Sequence, residues 1–81
     1  MHASLQDYKS ETYRIEYHKK DHKIGVRKRG GNQVMSFGNH STGLSEAELR
    51  KWGANVMQLL DDGAGIGETK TWIDGKMAEY Q

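Results

Sequence analysis

The hydrophobic residues of this chain change their spacing at Gly38–Gly43, from every second residue before it to every third or fourth residue after it. Alternation with a period of two is typical of half-buried strands, whereas three- and four-residue spacing is typical of amphipathic helices. The chain has 81 residues, which is enough for one domain with one modest core. We therefore predict a single α+β domain, with a sheet in residues 12–37 and helices in residues 44–80.

Three successive strands are predicted before the change in spacing. They are Thr12–His18, residues 23–29 and Gln33–Phe37. The polar residues 19–22 separate the first two strands. Gly30-Gly31 separates the second from the third, where two positive φ angles would form a tight primed turn. Two consecutive hairpins give a three-stranded antiparallel β-meander.

Alternation divides the strand residues between the two faces of the sheet. The residues expected to face the core are Tyr13, Ile15, Tyr17, Ile24 and Val26. The third strand is ambiguous, because either Val34 or the pair Met35 and Phe37 has to turn outward. If the larger pair turns outward, the opposite face gains an apolar centre, which together with an exposed strand edge would permit a homodimer.

The main helix is predicted over residues 45–62. Ser45-Glu-Ala-Glu48 has the spacing of a capping box, in which each side chain bonds a backbone donor at the helix start. Gly63 is expected to end this helix as a left-handed cap. The apolar stripe that faces the sheet consists of Leu49, Trp52, Val56, Leu59 and Leu60.

A short closing helix is predicted from Glu68 or Thr69 to Glu79, after a glycine-rich loop. Trp52 and Trp72 are expected to anchor the core, and Trp72 has the alternative of an interface position. The predicted order of elements is thus βββαα, with the helices packed against one face of the meander.

The first ten residues do not indicate one structure. Ala3–Lys9 has room for a short helical turn with Leu5 and Tyr8 facing inward, but the segment is equally compatible with a flexible terminus. The start lacks the basic and apolar regions of a signal peptide, and no apolar run approaches the ~20 residues of a membrane span. The chain contains no cysteine. We therefore expect a soluble cytoplasmic protein that needs no disulfides.

Charge is distributed unevenly along the chain. Residues 1–43 contain eight Lys and Arg against four Asp and Glu, and residues 44–81 contain four against seven. The residues expected to bind a partner are the cations Arg14, Lys19, Lys20, Lys23, Arg27, Lys28 and Arg29. Alternation places four of these on one outward face, namely Arg14, Lys23, Arg27 and Arg29. Glu16 is the acidic exception on that face, and Lys28 points to the other side.

A basic strand face favours nucleic-acid binding, because phosphate attracts Lys and Arg and a strand ribbon can enter the major groove. Tyr8 and His18 near this patch could stack on unpaired bases. The alternative is a face that is basic only to keep the sheet solvated. The pI of about 8.0 lies below the value of about 9 that is common in dedicated binders, so the charges indicate a binding surface without naming its partner.

A second class of function fits the same features. A small domain with a basic sheet face and acidic helices is also suited to binding another protein, as phage-type inhibitors of host or defence proteins do, anti-CRISPR-like proteins included. The partner would then be an acidic or nucleic-acid-handling protein. No serine-histidine-aspartate or paired-carboxylate arrangement is indicated, so we expect a non-catalytic protein without a cofactor.

Two motifs have part of the pattern of a ligand site. His18 and His22 have the spacing of a zinc pair, but they flank a turn between strands and no third ligand accompanies them. Gly63–Lys70 is similar to a phosphate-binding loop, but no strand leads into it and Glu68 would repel phosphate. We therefore predict no metal site and interpret the second segment as a connector between helices.

In layout, a three-stranded meander followed by a helix resembles the arm-binding domains of tyrosine integrases. With a helical N-terminal segment it also resembles double-stranded-RNA-binding domains. The latter carry a lysine cluster at the start of the last helix, whereas Ser45-Glu-Ala-Glu48 is acidic at that position. The likeness is one of layout, and it assigns the chain to neither family.

Overall fold

A computed structural model describes residues 8–81, which form a three-stranded antiparallel sheet followed by two helices. The strands are β1 (Tyr13–His18), β2 (Lys23–Lys28) and β3 (Gln33–Phe37), and their order in the sheet is β1-β2-β3. A short 3-10 turn, His40–Thr42, leads to the helices α1 (Glu46–Asp61) and α2 (Ile66–Ala78). The predicted α+β fold of a meander followed by two helices is confirmed. The turn considered for Ala3–Lys9 falls mostly outside the described residues.

The turn between β2 and β3 differs from the predicted primed turn. The Gly31 amide donates to the Lys28 carbonyl over 2.8 Å, and of the two glycines only Gly30 has a positive φ, at 72°. One positive φ at the third residue of a turn is the requirement of type II geometry, whereas the type I′ turn needs two. The prediction of positive φ at both glycines is therefore wrong.

A β-bulge in β3 resolves the ambiguity of the third strand. Met35 pairs with Val26 and Gln33 pairs with Arg27, so Val34 is an extra residue opposite β2. Met35 and Phe37 are both buried in the core. Val34 packs against the same core but stays partly exposed. Neither Val34 nor the pair Met35 and Phe37 has to turn outward, and the apolar centre considered for the opposite face does not form.

Both helices cover the same face of the sheet. α1 packs across β1 and β2, and α2 packs on β3. The fully buried hydrophobic side chains between these layers include Ile24, Val26, Leu49, Val56 and Ile73. Gly53 brings α1 close to the sheet, since a Cβ there would lie 3.0 Å from Ile15 Cδ1. Several residues predicted for the core pack against it but remain partly exposed, namely Tyr13, Ile15, Tyr17 and Trp52.

The start of α1 has the predicted capping box. The Glu48 amide donates to Ser45 Oγ over 3.1 Å, and the Ser45 amide donates to the Glu48 carboxylate over 2.9 Å. The backbone amide and the side chain of Ser45 both hydrogen-bond the Glu48 carboxylate, and they lower its pKa from the ordinary value because both favour the ionised form. Gly63 follows the helix with a φ of 102°, as the cap prediction requires.

Helix α2 begins at Ile66, before the expected start at Glu68 or Thr69. The Thr69 amide donates to the Gly65 carbonyl over 2.9 Å, so Gly67 lies within the first turn. Amides of the first turn have no partner inside the helix, and glycine is tolerated there more readily than in the middle.

Within residues 8–81, no helix combines the length and the apolar character needed to cross a membrane.

The N-terminal described segment is attached to the end of α1. The hydroxyls of Tyr8 and Ser10 both donate to the Asp61 carboxylate, the second over 3.0 Å. Ser10 is buried, and its hydroxyl also accepts the Tyr13 amide at the start of β1. The hydrogen bond to Asp61 raises the pKa of Tyr8 to about 12, because the carboxylate disfavours loss of the phenol proton. Asp61 therefore ties the start of β1 to the end of α1.

Candidate functional site

The face of the sheet that points away from both helices is the candidate site, and we call it the outer face. Alternation along the paired strands assigns eight residues to it, namely Arg14, Glu16, His18, Lys23, Gly25, Arg27, Gln33 and Ser36. Strand pairing sets Arg14 beside Arg27 and His18 beside Lys23. Polar side chains therefore cover this face from edge to edge.

Glu16 organises the cations of the outer face. Its carboxylate lies 3.1 Å from the Arg27 guanidinium and 3.5 Å from that of Arg14. Arg27 also donates to the carbonyl oxygen of Gly31 over 3.1 Å, so its guanidinium is held from two sides. These side chains are partly exposed, and each exposed pair contributes at most about 1 kcal/mol to stability. The main effect of Glu16 is to fix where the Arg27 guanidinium lies.

Positive charge exceeds negative charge on the outer face. Arg14, Lys23 and Arg27 share this face with one carboxylate, that of Glu16. Lys23 forms no ion pair within residues 8–81. Lys19 and Lys20 are exposed in the turn between β1 and β2, so they extend the basic surface beyond the end of the strands. An anionic ligand on this face would meet a cation near each end of β2, Lys23 and Arg27.

A hollow of about 240 Å³ lies at one end of the outer face. It is lined by His18, Asp21, Lys23, Gln33 and Ser36. Gly25 is buried in the same region, where a Cβ would lie 2.6 Å from His18 Nε2 and even closer to Gln33 Oε1. His18 Nε2 has no hydrogen-bond partner within residues 8–81, since Glu16 is 4.0 Å away. The hollow thus sets the Lys23 ammonium and the Ser36 hydroxyl beside the Asp21 carboxylate, and His18 Nε2 is buried next to Gly25.

The sequence alone predicts neither the close approach of side chains at Gly25 nor the contact of Glu16 with Arg27. A glycine in the interior of a strand often marks a close approach of another group, so Gly25 did carry a signal. Glu16 appeared only as the acidic exception among the cations. Its contact with Arg27 depends on the register between β1 and β2, which sets Glu16 opposite Gly25 and makes Arg27, 11 positions along the chain, its diagonal neighbour.

Three of the other predicted residues lie away from the outer face. Lys28 pairs with Tyr13 at the end of β2, on the helix side of the alternation, and its side chain is exposed. Arg29 follows the strand, and its Nε donates to the Ser10 carbonyl over 2.9 Å. Tyr8 bonds through its hydroxyl to Asp61 at the end of α1, on the helical side of the molecule.

His22 has a structural role in the turn between β1 and β2. Its Nε2 contacts the Leu44 carbonyl oxygen, and its Nδ1 lies 2.6 Å from the Tyr17 hydroxyl. Because a carbonyl only accepts, Nε2 carries a proton and donates to Leu44, while Nδ1 shares a hydrogen bond with the Tyr17 hydroxyl. The ring also stacks on His40 at 5.5 Å between centroids. Within residues 8–81, no three His, Cys, Asp or Glu residues are grouped as metal ligands.

Comparisons of the chain with protein-family models, with curated proteins and with solved structures found no match. The layout likeness to integrase arm-binding domains therefore has no relative to support it. The functional proposal depends on the charges, the register and the hollow of the outer face.

Proposed function

We propose that this chain is a non-catalytic nucleic-acid-binding module whose outer face contacts the phosphate backbone. The observation that carries the proposal is a strand face left open by both helices, on which Arg14, Lys23 and Arg27 outnumber Glu16. Phosphate contacts need cations and hydrogen-bond donors rather than a deep pocket. A small domain with one core can supply such a surface.

The dimensions of the outer face support contacts with more than one phosphate. Lys23 and Arg27 are four residues apart on β2, which corresponds to about 13 Å at the rise of a strand. Duplex DNA carries one negative charge per about 1.7 Å of its axis, so a surface of that length meets several phosphates. Three antiparallel strands also form a ribbon of the kind that enters a major groove.

The preorganisation of Arg27 also supports the proposal. Its guanidinium is already held by Glu16 and by the Gly31 carbonyl, and it remains about one-third exposed. A fixed guanidinium loses less conformational entropy on binding than a free side chain does. The hollow beside Lys23 offers a second place where a phosphate oxygen would find hydrogen-bond donors, with the Asp21 carboxylate also at its border.

Salt-dependent binding tests the proposal. Fluorescence anisotropy with labelled duplex DNA, single-stranded DNA and RNA should give affinity that falls steeply with added salt. The Lys23→Ala/Arg27→Ala variant should weaken binding and reduce the slope of log K against log salt by about two. A matched control is Lys51→Ala/Lys76→Ala, which removes two cations from the helices and should leave the slope unchanged.

Two results would overturn the proposal. One is the absence of binding to every nucleic acid at low salt, and the other is an equal loss of affinity in the outer-face variant and in the helix control. A pull-down from the native host, with and without nuclease, separates the remaining alternative. A stoichiometric protein partner that survives nuclease and is lost in the outer-face variant would favour the phage-type inhibitor of a host or defence protein.

A further inference from the structure

Three aromatic residues crowd the surface where α1 meets α2, on the opposite side of the molecule from the outer face. The Trp52 ring lies 5.8 Å from that of Trp72 and 6.4 Å from that of Tyr80, measured between centroids. Both tryptophans are only partly buried. Within residues 8–81, the large hydrophobic side chains with the greatest exposure are Ile66 and Tyr80, at 45% and 43%. Both belong to the helical half.

Two hollows lie on either side of Leu59 and Trp72, and we call this surface the helical groove. The first hollow, of about 260 Å³, is completed by Asn55, Gln58 and Asp62. The second, of about 380 Å³, is completed by Ala64, Glu68 and Thr69. A cavity of about 150 Å³ is enough for benzene, so each hollow has room for one apolar side chain.

The rim of the helical groove is acidic. Asp62 borders the first hollow and Glu68 the second, and no Lys or Arg lines either hollow. Within residues 8–81, neither carboxylate forms an ion pair, whereas most other helical carboxylates are paired or capped. The ion pairs of the helices are Glu46 with Arg50, Asp74 with Lys70 and Glu79 with Lys76. The negative charge beside Leu59 and Trp72 is thus available to an external cation.

We infer that the helical groove binds a peptide segment of another protein, with one large apolar side chain against Leu59 and Trp72 and with Lys or Arg on both sides of it. Each of the two hollows that share Leu59 and Trp72 has its own carboxylate, Asp62 in the first and Glu68 in the second, which matches a ligand with a cation on both sides of its apolar residue. Complementary charge would steer the segment to the groove, and the partly buried tryptophans supply the apolar contact. This site is separate from the outer face, and it does not depend on the proposed binding of nucleic acid.

Charge argues against two other occupants. A second copy placed across a twofold axis would bring the same surface to the contact, and its Asp62 and Glu68 would face those of the first copy. Like charges at a contact disfavour it. Nucleic acid is disfavoured for the same reason, because its phosphates would meet two carboxylates without a lining Lys or Arg.

Short synthetic peptides test the inference on the full chain. The basic set has one central Leu, Ile, Phe or Trp with Lys or Arg on both sides. Two control sets replace the cations by Glu or the central residue by Ser. Binding is followed by ¹⁵N NMR, in which the indole N–H signals of Trp52 and Trp72 report on the groove and the amides of β2 report on the outer face.

We expect members of the basic set to bind and to shift both indole signals, and both control sets to bind at least about tenfold more weakly. The inference is overturned if no basic peptide binds at millimolar concentration. It is also overturned if the shifts appear on β2 instead of on the tryptophans.

Two charge-reversal variants distinguish binding at the helical groove from attraction by the net charge of the protein. Asp62→Lys/Glu68→Lys should weaken the basic peptides by about tenfold or more. Asp74→Lys/Glu79→Lys makes the same change in net charge away from the hollows and should alter affinity by less than about twofold. These four residues are exposed, so the test does not depend on a core substitution such as Trp72→Ala.

Two results with these variants would count against the inference. Equal losses in both variants would mean that net charge alone attracts the peptides. A wild-type dimer in sedimentation analysis that dissociates only when Asp62 and Glu68 are reversed would place a second copy on the groove instead of a peptide.

Discussion

The outer face and the helical surface carry charge in different ways. On the helices, ion pairs join residues three or four positions apart on one element, such as Lys70 with Asp74. On the outer face, Glu16 reaches Arg27 across the strands, and Lys23 has no ion-pair partner within residues 8–81. Local pairs on a helix form wherever the helix packs, whereas the excess of cations on the outer face exists only when the strands pair. A net charge of +1 therefore conceals two surfaces of different character.

The largest expected effect is on stability, and its measurement tests whether the outer face and the helical surface belong to one cooperative folding unit. Ile24 is fully buried between β2 and the helices, and Ile24→Ala should lower the free energy of unfolding by about 2–5 kcal/mol. The transition in urea should shift equally by far-ultraviolet circular dichroism and by tryptophan fluorescence, because both surfaces lie on the same core.

Ile66→Ala is the matched control for this substitution. It removes the same atoms from a side chain that is 45% exposed, so it should cost much less. Separate transitions for the two probes in the Ile24 variant would contradict the idea of one cooperative unit.

The next largest effect concerns binding at the hollow of the outer face. Gly25→Ala places a Cβ against the ends of two side chains, Gln33 and His18, so these side chains should move and the hollow should close. Loss of one hydrogen bond to phosphate corresponds to about 1 kcal/mol, or about fivefold in affinity. Stability should change little, because the displaced atoms are side-chain ends. Anisotropy and urea titrations measure the two quantities.

Gly67→Ala is the control for the glycine substitution, since nothing lies within 4 Å of the added Cβ. Its affinity for nucleic acid should equal that of the wild type. If Gly25→Ala also binds normally, the hollow has no part in binding, and the exposed cations of the outer face act alone.

A smaller effect separates helix stability from binding. Ser45→Ala removes the side-chain cap of α1 and should lower the free energy of unfolding by about 1 kcal/mol, with unchanged affinity of the outer face. Ser41→Ala is the control, because only the backbone amide of Ser41 is engaged, by Asn39. An equal loss in both variants would exclude the capping box as the cause.

The capping box also predicts a dependence on acid. The pKa of Glu48 is lowered by its bonds to Ser45, so the folded state favours the ionised form. Its stabilising effect is present above the ordinary pKa and is lost as the pH falls through the lower folded value. Glu48→Gln should therefore flatten the dependence of unfolding free energy on pH in this acidic range. An unchanged pH profile would contradict the assignment.

The smallest expected effect is a gain in binding. Glu16→Gln removes the one carboxylate of the outer face, so affinity for nucleic acid at low salt should rise by about two- to fivefold. Asp74→Asn makes the same charge change on α2 and should have a weaker effect. A fall in affinity for Glu16→Gln would mean that the fixed position of Arg27 matters more than the added repulsion of Glu16.

Patterns that repeat along the chain were sufficient to predict the elements of the fold. Period-two spacing located β1 and β2, and the spacing of Ser45 and Glu48 located the start of α1. The bulge at Val34 could not be predicted in this way, because it is a property of two paired strands. The start of α2 at Ile66 was not predicted, because Gly67 was interpreted as part of a loop, although the first turn of a helix tolerates glycine.

The candidate site was predictable only in part for the same reason. Alternation placed Arg14, Lys23 and Arg27 on one face, which the register supports. It extended the same rule to Arg29, which lies in the turn and donates to Ser10. The contact of Glu16 with Arg27 needs the register of two strands, and local spacing does not contain that information.

The bond from Tyr8 to Asp61 bears on the rates at which the domain folds and unfolds. It joins residues 53 positions apart, so it requires β1 and α1 to be in place before it forms. Closing so long a loop early would carry an entropic cost that one hydrogen bond does not offset. Interactions absent from the folding transition state slow unfolding without speeding folding. We therefore expect the bond from Tyr8 to Asp61 to slow unfolding of the domain without changing its folding rate.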